Sequence, residues 1–117
     1  MQWGGRETEE RTHLSSVLGE GRHAIVVDEQ ERIVGVSTEW TQMCGYSAEE
    51  AIGQSPKMLQ GPRTHLPSAS AFASTLKTER WAFASIVNYR KDGSHFVNHL
   101  FGWQFGDLFV AETYAAE

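Results

Sequence analysis

The sequence predicts a single α+β domain, because the segments follow the order strand, strand, helices, strand, strand, strand. The early strand candidates span residues 24–27 and 32–36, two aliphatic runs that flank a polar turn. The late strand candidates are longer and span residues 80–89, 95–105 and 108–115. Gly93 and Gly106 lie at the two reversals between the late strands, where glycine is a favourable turn residue.

An N-terminal segment, residues 1–21, is set apart from the domain proper, residues 22–117. After a short lead, Leu14, Val17 and Leu18 stand at helical spacing before two glycines. We therefore expect a short amphipathic cap helix ahead of the first strand.

Three more helical segments are predicted between the two groups of strands. Residues 38–43 form the first of them. Ser47 with Glu50 three residues later has the spacing of a capping box, which predicts a second short helix. Pro67 fits the first turn of a third helix that runs to residue 78.

Composition and charge narrow the class of protein. The 117 residues support one hydrophobic core, and a hydrophobic content of 40% is typical of a globular domain. The net charge of −5, with no basic cluster longer than Arg90-Lys91, argues against nucleic acid as a direct partner. The single cysteine, Cys44, excludes an intrachain disulfide. No apolar run is long enough to span a bilayer, so we expect a cytoplasmic protein without a membrane partner.

Common enzyme and metal-site motifs do not occur in the sequence. It has no hydrolase elbow, nucleotide-binding loop, zinc-protease motif or paired cysteines, so we do not expect an enzyme. The five histidines lack metal-ligand spacing, and we expect no metal site. Among them, His65 is best interpreted as a surface or turn histidine.

Two segments carry a family resemblance. Residues 53–61 read Gly-Gln-Ser-Pro-Lys-Met-Leu-Gln-Gly, and residues 88–98 read Asn-Tyr-Arg-Lys-Asp-Gly-Ser-His-Phe-Val-Asn. They resemble the signature segments of LOV domains, the flavin-binding blue-light sensors of the PAS superfamily. Those signatures are Gly-x-Asn-Cys-Arg-Phe-Leu-Gln-Gly and Asn-Tyr-x-Lys-x-Gly-x-x-Phe-x-Asn. The resemblance covers residues 22–117 and implies the PAS fold, a five-stranded antiparallel sheet with short helices over one face.

The resemblance also implies a flavin site with FMN as its cofactor. Asn88, Asn98 and Gln60 match the amides that hydrogen-bond the edge of the flavin ring, which needs both donors and acceptors. Strand alternation places Leu100 on the same face as Asn98. Thr113 stands where the family has its terminal glutamine.

The chain departs from the family pattern at the position of the photoreactive cysteine and at the residues that contact the ribityl chain and the phosphate of the flavin. Pro56 occupies the place of the photoreactive cysteine, and proline has no nucleophile, so the flavin–thiol adduct cannot form there. Ser55 replaces the asparagine that holds the ribityl chain. Lys57 replaces a phosphate-gripping arginine and makes a point-charge contact instead of a bidentate one. The second such arginine falls at Ala73, and Arg63 and His65 are the nearby candidates to compensate.

Some of these residues, and Cys44, also have a purely structural interpretation. Pro56 is equally suited to starting a helix in a PAS domain that never bound flavin. Asn88 and Asn98 can serve as buried amides that bridge strands. Cys44 is more typical of a small buried filler than of a reactive thiol.

The opposite face of the sheet is predicted to be too apolar for exposure to water. Its members are Trp81, Phe83, Phe101, Trp103, Val110 and Tyr114. The resemblance agrees, since PAS and LOV domains usually carry flanking helices and dimer contacts on this face. We expect the cap helix to cover part of it and a second copy of the chain to cover the rest, giving a homodimer. The alternative is a monomer closed by the N-terminal helix.

Two functions follow from the sequence. The first is a sensory domain that binds flavin, responds by redox chemistry or photoreduction with Trp40 or a nearby tyrosine as electron donor, and signals through the outer sheet face. The second is a ligand-free PAS module for protein–protein interaction or dimerisation, with side chains filling the pocket. The sequence does not specify the effector in either case.

Overall fold

A computed structural model describes residues 8–116 of the chain, with side chains from His13 onward. Its helices are α1 Thr8–Val17, α2 Thr38–Cys44, α3 Ala48–Ala51 and α4 Leu66–Glu79, and a 3₁₀ turn spans Pro56–Leu59. Its strands are β1 Ala24–Val27, β2 Ile33–Val36, β3 Trp81–Tyr89, β4 His95–Phe105 and β5 Leu108–Ala116. The predicted N-terminal lead lies outside the described residues.

The strands form one antiparallel sheet in the order β2-β1-β5-β4-β3. The last strand in sequence, β5, is central and pairs with β1 on one side and β4 on the other. Ala111 lies opposite Ile25 of β1 and Gly102 of β4. The α+β class and the five-stranded antiparallel sheet predicted from the sequence are confirmed.

Side-chain caps fix where the short helices begin. The Ser37 hydroxyl accepts hydrogen bonds from the backbone N–H of Trp40 (3.2 Å) and of Ala24 (3.0 Å), so it caps α2 and ties that helix to β1. The capping box predicted at Ser47 is present, since Ser47 Oγ accepts from Glu50 N and Glu50 Oε1 accepts from Ser47 N. These caps allow very short helices to hold a fixed position over the sheet.

The main core lies on the inner face of the sheet, the face that carries Asn88, Asn98 and Ala111. Its buried members come from β1, β2, α2, α3, the 3₁₀ turn and β5; they are Ile25, Ile33, Val36, Trp40, Cys44, Ala51, Leu59 and Ala111. Cys44 is fully buried in this cluster, and burial raises the pKa of its thiol. The position matches the interpretation of Cys44 as a packing residue.

The cap helix α1 packs on the outer face of the sheet. Leu14 and Val17 are buried against a second cluster that includes Val26 and Val110. At the same end of the sheet, Trp103 Nε1 donates a hydrogen bond to His13 Nε2 (3.2 Å). The cap therefore covers the part of the outer face built by β1 and β5 and adjoins β4.

The extent of the cap corrects the predicted dimer face. Val110 points outward as predicted, but α1 covers it completely, so it is not available to a partner. Trp103 is half-buried beside His13. The exposed members of the predicted set are Trp81, Phe83, Phe101 and Tyr114. The alternation of side chains along a strand predicts correctly which face of the sheet a residue occupies. It does not predict which part of that face a helix covers.

Leu14→Ala should destabilise the domain by about 2–5 kcal/mol, because a fully buried leucine is removed from the contact between α1 and the sheet. Chemical denaturation followed by far-ultraviolet circular dichroism measures the change. Ser15→Ala on the exposed side of the same helix is the matched control and should be nearly neutral. Equal stability of Leu14→Ala and the wild type would contradict the packing described here.

Candidate ligand-binding site

A cavity of about 530 Å³ lies between the inner face of the sheet, the 3₁₀ turn and α4. This volume is within the range of small-molecule sites in proteins. The residues that the family pattern matches to the flavin site all line it: Ser55, Pro56, Lys57, Gln60, Asn88, Asn98, Leu100 and Thr113. Segments distant in the sequence thus converge on one cavity, while the role of each residue in binding stays a prediction.

The two asparagines form a short chain of hydrogen bonds in the cavity wall. Asn98 Nδ2 donates to Asn88 Oδ1 (3.0 Å), and Asn88 Nδ2 donates to the carbonyl of Leu59 (3.3 Å). Asn88 therefore links β3 to the 3₁₀ turn, in line with the structural interpretation. Asn98 is 2% exposed, and its Oδ1 is a buried acceptor without a hydrogen-bond partner among the described residues. Buried polar atoms of this kind are rare, because each costs free energy.

The 3₁₀ turn presents Pro56 to the cavity from the first position of the turn. Ser55 precedes it as the N-cap, and its Oγ accepts a hydrogen bond from Lys57 N (3.1 Å). Proline is favoured at this position, because its fixed φ suits the turn and its missing N–H has no intrahelical partner to lose. The geometry of the turn thus explains why a proline is suitable at position 56. The Pro56 side chain brings no reactive group to the cavity.

Thr113 uses its hydroxyl to hold the sheet together. Its Oγ1 donates to the carbonyl of His23 (3.3 Å) and lies 3.5 Å from Met43 Sδ. The backbone N–H of Thr113 also donates to the His23 carbonyl (2.9 Å). The bond from Oγ1 uses the one donor hydrogen of the hydroxyl, so Thr113 can offer a ligand only an acceptor, whereas a glutamine amide offers both a donor and an acceptor.

Two lysines and two carboxylates line the cavity on different elements. Lys57 comes from the 3₁₀ turn and Lys77 from α4, whereas Asp28 and Glu31 come from the β1–β2 turn. Sequence reasoning missed Lys77. It stands four residues after Ala73, which also lines the cavity, and that spacing on a helix was the available signal.

Neither proposed substitute for the missing arginines lies at the cavity. Arg63 is exposed, with Nη1 3.5 Å from His95 Nε2, and its backbone N–H donates to the Tyr89 hydroxyl (2.9 Å). His65 caps α4, its Nδ1 accepting from the backbone N–H of Ser68 (3.3 Å). The turn-histidine interpretation of His65 fits this geometry. Sequence proximity to the 3₁₀ turn did not bring either side chain to its cavity.

Trp40 also lines the cavity, although sequence reasoning did not assign it to ligand binding. It lies on α2, is 0% exposed and lines the cavity. Its indole Nε1 has no hydrogen-bond partner within the described part of the chain. The helix that carries Trp40 was predicted from the sequence, but a pattern of apolar residues carries no information about an unused N–H.

Between residues 8 and 116 the structure has no helix long and apolar enough to cross a membrane. The same residues contain no group of three or more His, Cys, Asp and Glu side chains placed to hold a metal ion.

Comparison with known proteins defines the family. A family model described as a PAS domain matches residues 22–108. The chain belongs to the PAS domain family. Over 64 residues it is 42% identical to Protein TWIN LOV 1 of Arabidopsis thaliana, covering 55% of this chain and 16% of that protein. Over 91 residues it is 31% identical to a blue-light-activated histidine kinase of Rhizobium johnstonii, covering 78% of this chain and 25% of that protein.

A third relative and two solved structures place this PAS domain beside LOV proteins. It is 32% identical over 79 residues to a blue-light photoreceptor of Listeria monocytogenes, covering 65% of this chain and 31% of that protein. The LOV domain of a blue-light-activated histidine kinase from Erythrobacter litoralis superposes with a TM-score of 0.77 at 25% identity, covering 83% of this chain and 97% of that one. The Rhodobacter sphaeroides LOV protein superposes with a TM-score of 0.84 at 21% identity, covering 93% and 68%.

The resemblance to LOV domains stated from the sequence is confirmed by these relatives and neighbours. The chain spans less than a third of the length of the curated relatives it matches. The relatives therefore describe its domain type and not the activity of a full-length chain.

Proposed function

We propose that this PAS domain is a sensory module that holds a flavin, with FMN as the expected form, in the cavity beneath α4. The observation that carries the proposal is the unpartnered acceptor of Asn98 in a cavity that Ser55, Pro56, Lys57, Gln60 and Asn88 of the LOV-like segments also line. A planar ring with an N–H at its edge would satisfy that acceptor. The blue-light names of the relatives support a photosensory role.

The response that we propose is redox chemistry without a thiol adduct. Pro56 supplies no nucleophile, and Cys44, the one cysteine of the chain, belongs to the buried core and is not among the residues that line the cavity. Burial raises the pKa of its thiol, which disfavours the reactive thiolate. A free buried thiol is also compatible with a reducing compartment, and we propose a cytoplasmic location.

The residues of the cavity would have distinct tasks. A bound flavin would supply light absorption and reversible electron uptake. The amides of Asn88, Asn98 and Gln60 would orient the ring edge, while Trp40 in the wall is the proposed electron donor. Lys57 and Lys77 would offset the phosphate charge, each as a point charge. We assign no catalysed reaction to the domain itself.

The proposed route of the signal runs through β4. Asn98 faces the cavity on this strand, and its neighbour His99 and then Phe101 face outward. A change in the hydrogen bonds of Asn98 would shift the strand and with it the outer face. In this way a change in the protonation of the flavin ring would alter the outer face of the sheet.

We propose that a second copy of the chain covers the exposed outer face. Trp81, Phe83, Phe101 and Tyr114 are 53%, 69%, 38% and 63% exposed, and the rings of Phe83 and Phe101 lie tilted against each other with centroids 5.0 Å apart. A contiguous aromatic patch of this kind marks an interaction site. A two-fold dimer would bury the same patch on both copies.

The absorbance spectrum of the protein reconstituted with FMN tests the proposed function. We expect one flavin per chain to remain bound after gel filtration, with the structured blue absorption band of a flavin held in a fixed environment. Failure of FMN to bind would favour the alternative, a ligand-free interaction module. The exposed aromatic patch is the observation that supports that alternative.

Pro56→Cys in the flavin-loaded protein should create a light-induced adduct, because the new thiol would sit in the wall of the flavin cavity. The measurement is bleaching of the blue band under illumination with recovery in the dark. Pro56→Ser is the matched control and should not bleach in this way. Absence of bleaching with flavin demonstrably bound would mean that Pro56 does not face the reactive carbon of the ring.

Phe83→Glu and Tyr114→Glu should each shift the protein from dimer to monomer, because a charge is placed in the proposed apolar contact. Sedimentation velocity measures the assembly state. Ile52→Glu is the control, since Ile52 is 44% exposed outside the outer sheet face. A wild-type protein that is monomeric at all accessible concentrations would contradict the dimer.

A further inference from the structure

The indole N–H of Trp40 is a polar group that the fold leaves unused. Trp40 is 0% exposed, so water from the surface does not reach the ring. Its Nε1 has no acceptor among the described residues. Buried tryptophan N–H groups usually have a partner, because an unmade hydrogen bond in a low-dielectric interior is costly. The orphaned donor therefore needs an explanation.

The Ser37 oxygen and the one hydrogen of the Thr113 hydroxyl are used within the fold. Ser37 Oγ accepts from the backbone N–H groups of Ala24 and Trp40 itself. The Thr113 hydroxyl is directed at the His23 carbonyl and Met43 Sδ. These bonds hold α2 and β5 to the strand β1, so the fold uses these groups for its own assembly.

The cavity contains an unused group of the opposite kind. Asn98 Oδ1 is a buried acceptor without a partner, and both Asn98 and Trp40 line the same cavity. One unmatched donor and one unmatched acceptor thus belong to residues of the same cavity wall. A heteroaromatic ligand with both ring acceptors and a ring N–H can satisfy both groups, whereas a purely apolar ligand can satisfy neither.

We propose that Trp40 is a further ligand-binding residue, whose indole N–H donates to a carbonyl oxygen or ring nitrogen of the heteroaromatic ligand in this cavity. The inference rests on the proposed function and extends it, since neither LOV signature includes Trp40. It makes Trp40 a polar determinant of ligand choice as well as a packing residue of the core.

Trp40→Phe tests this assignment, because it keeps an aromatic ring and removes the N–H. We expect the Kd for FMN, measured by quenching of flavin fluorescence, to rise about tenfold, the change that one lost hydrogen bond produces. Trp103→Phe is the matched control. It also removes an indole N–H, but one that donates to His13 outside the cavity, and FMN affinity should be unchanged.

A second measurement uses the wild-type protein and does not depend on the folding of a variant. The indole N–H resonance of Trp40 in a ¹⁵N-correlated NMR spectrum should move downfield when FMN is added, as expected for a new hydrogen bond. If FMN binds but this resonance stays in place and Trp40→Phe binds equally well, the role of Trp40 is overturned while the flavin site stands. If FMN does not bind to the wild type, both the flavin site and the role of Trp40 are overturned.

Discussion

The central position of β5 is the constraint on which the rest of this structure depends. The strand pairs with β1 and β4 at once, and its alternation directs Ala111 and Thr113 to the cavity and Val110 to the cap helix. Two bonds to the His23 carbonyl, from the N–H and the hydroxyl of Thr113, fix the strand beside β1. A slip of one residue would exchange the two faces, so the same register defines both the cavity and the covered outer surface.

The cavity is built at a cost to the fold. Buried polar atoms without partners destabilise a protein, and Trp40 Nε1 and Asn98 Oδ1 are two such atoms in one wall. A ligand that satisfies them would recover that free energy and stabilise the folded state by mass action. The neighbouring polar groups are bonded within the fold: Ser37 caps α2, Asn88 links β3 to the 3₁₀ turn, and Thr113 joins β5 to the residue before β1. This division between bonded and unbonded groups supports the proposal that the cavity binds a ligand.

Local patterns predicted the elements well, and long-range packing was harder to predict. The capping box at Ser47 and the proline at the start of the 3₁₀ turn were visible because their causes lie within a few residues. The coverage of Val110 was not visible, because it depends on a helix almost a hundred residues earlier in the chain. For the same reason, the sequence did not predict that Lys77 lines the cavity, and it favoured Arg63, which does not. Proximity in sequence is a weak guide to which cation reaches a cavity formed by several elements.

The most direct test of this account is a crystal structure of the protein grown with FMN. We predict electron density for the ring between α4 and the inner face of the sheet, with its edge against Asn98 and with Lys57 and Lys77 on the side of the phosphate. Side chains collapsed into the cavity, or FMN bound instead to the aromatic outer face, would contradict the central claim that this PAS domain is a flavin-binding sensor.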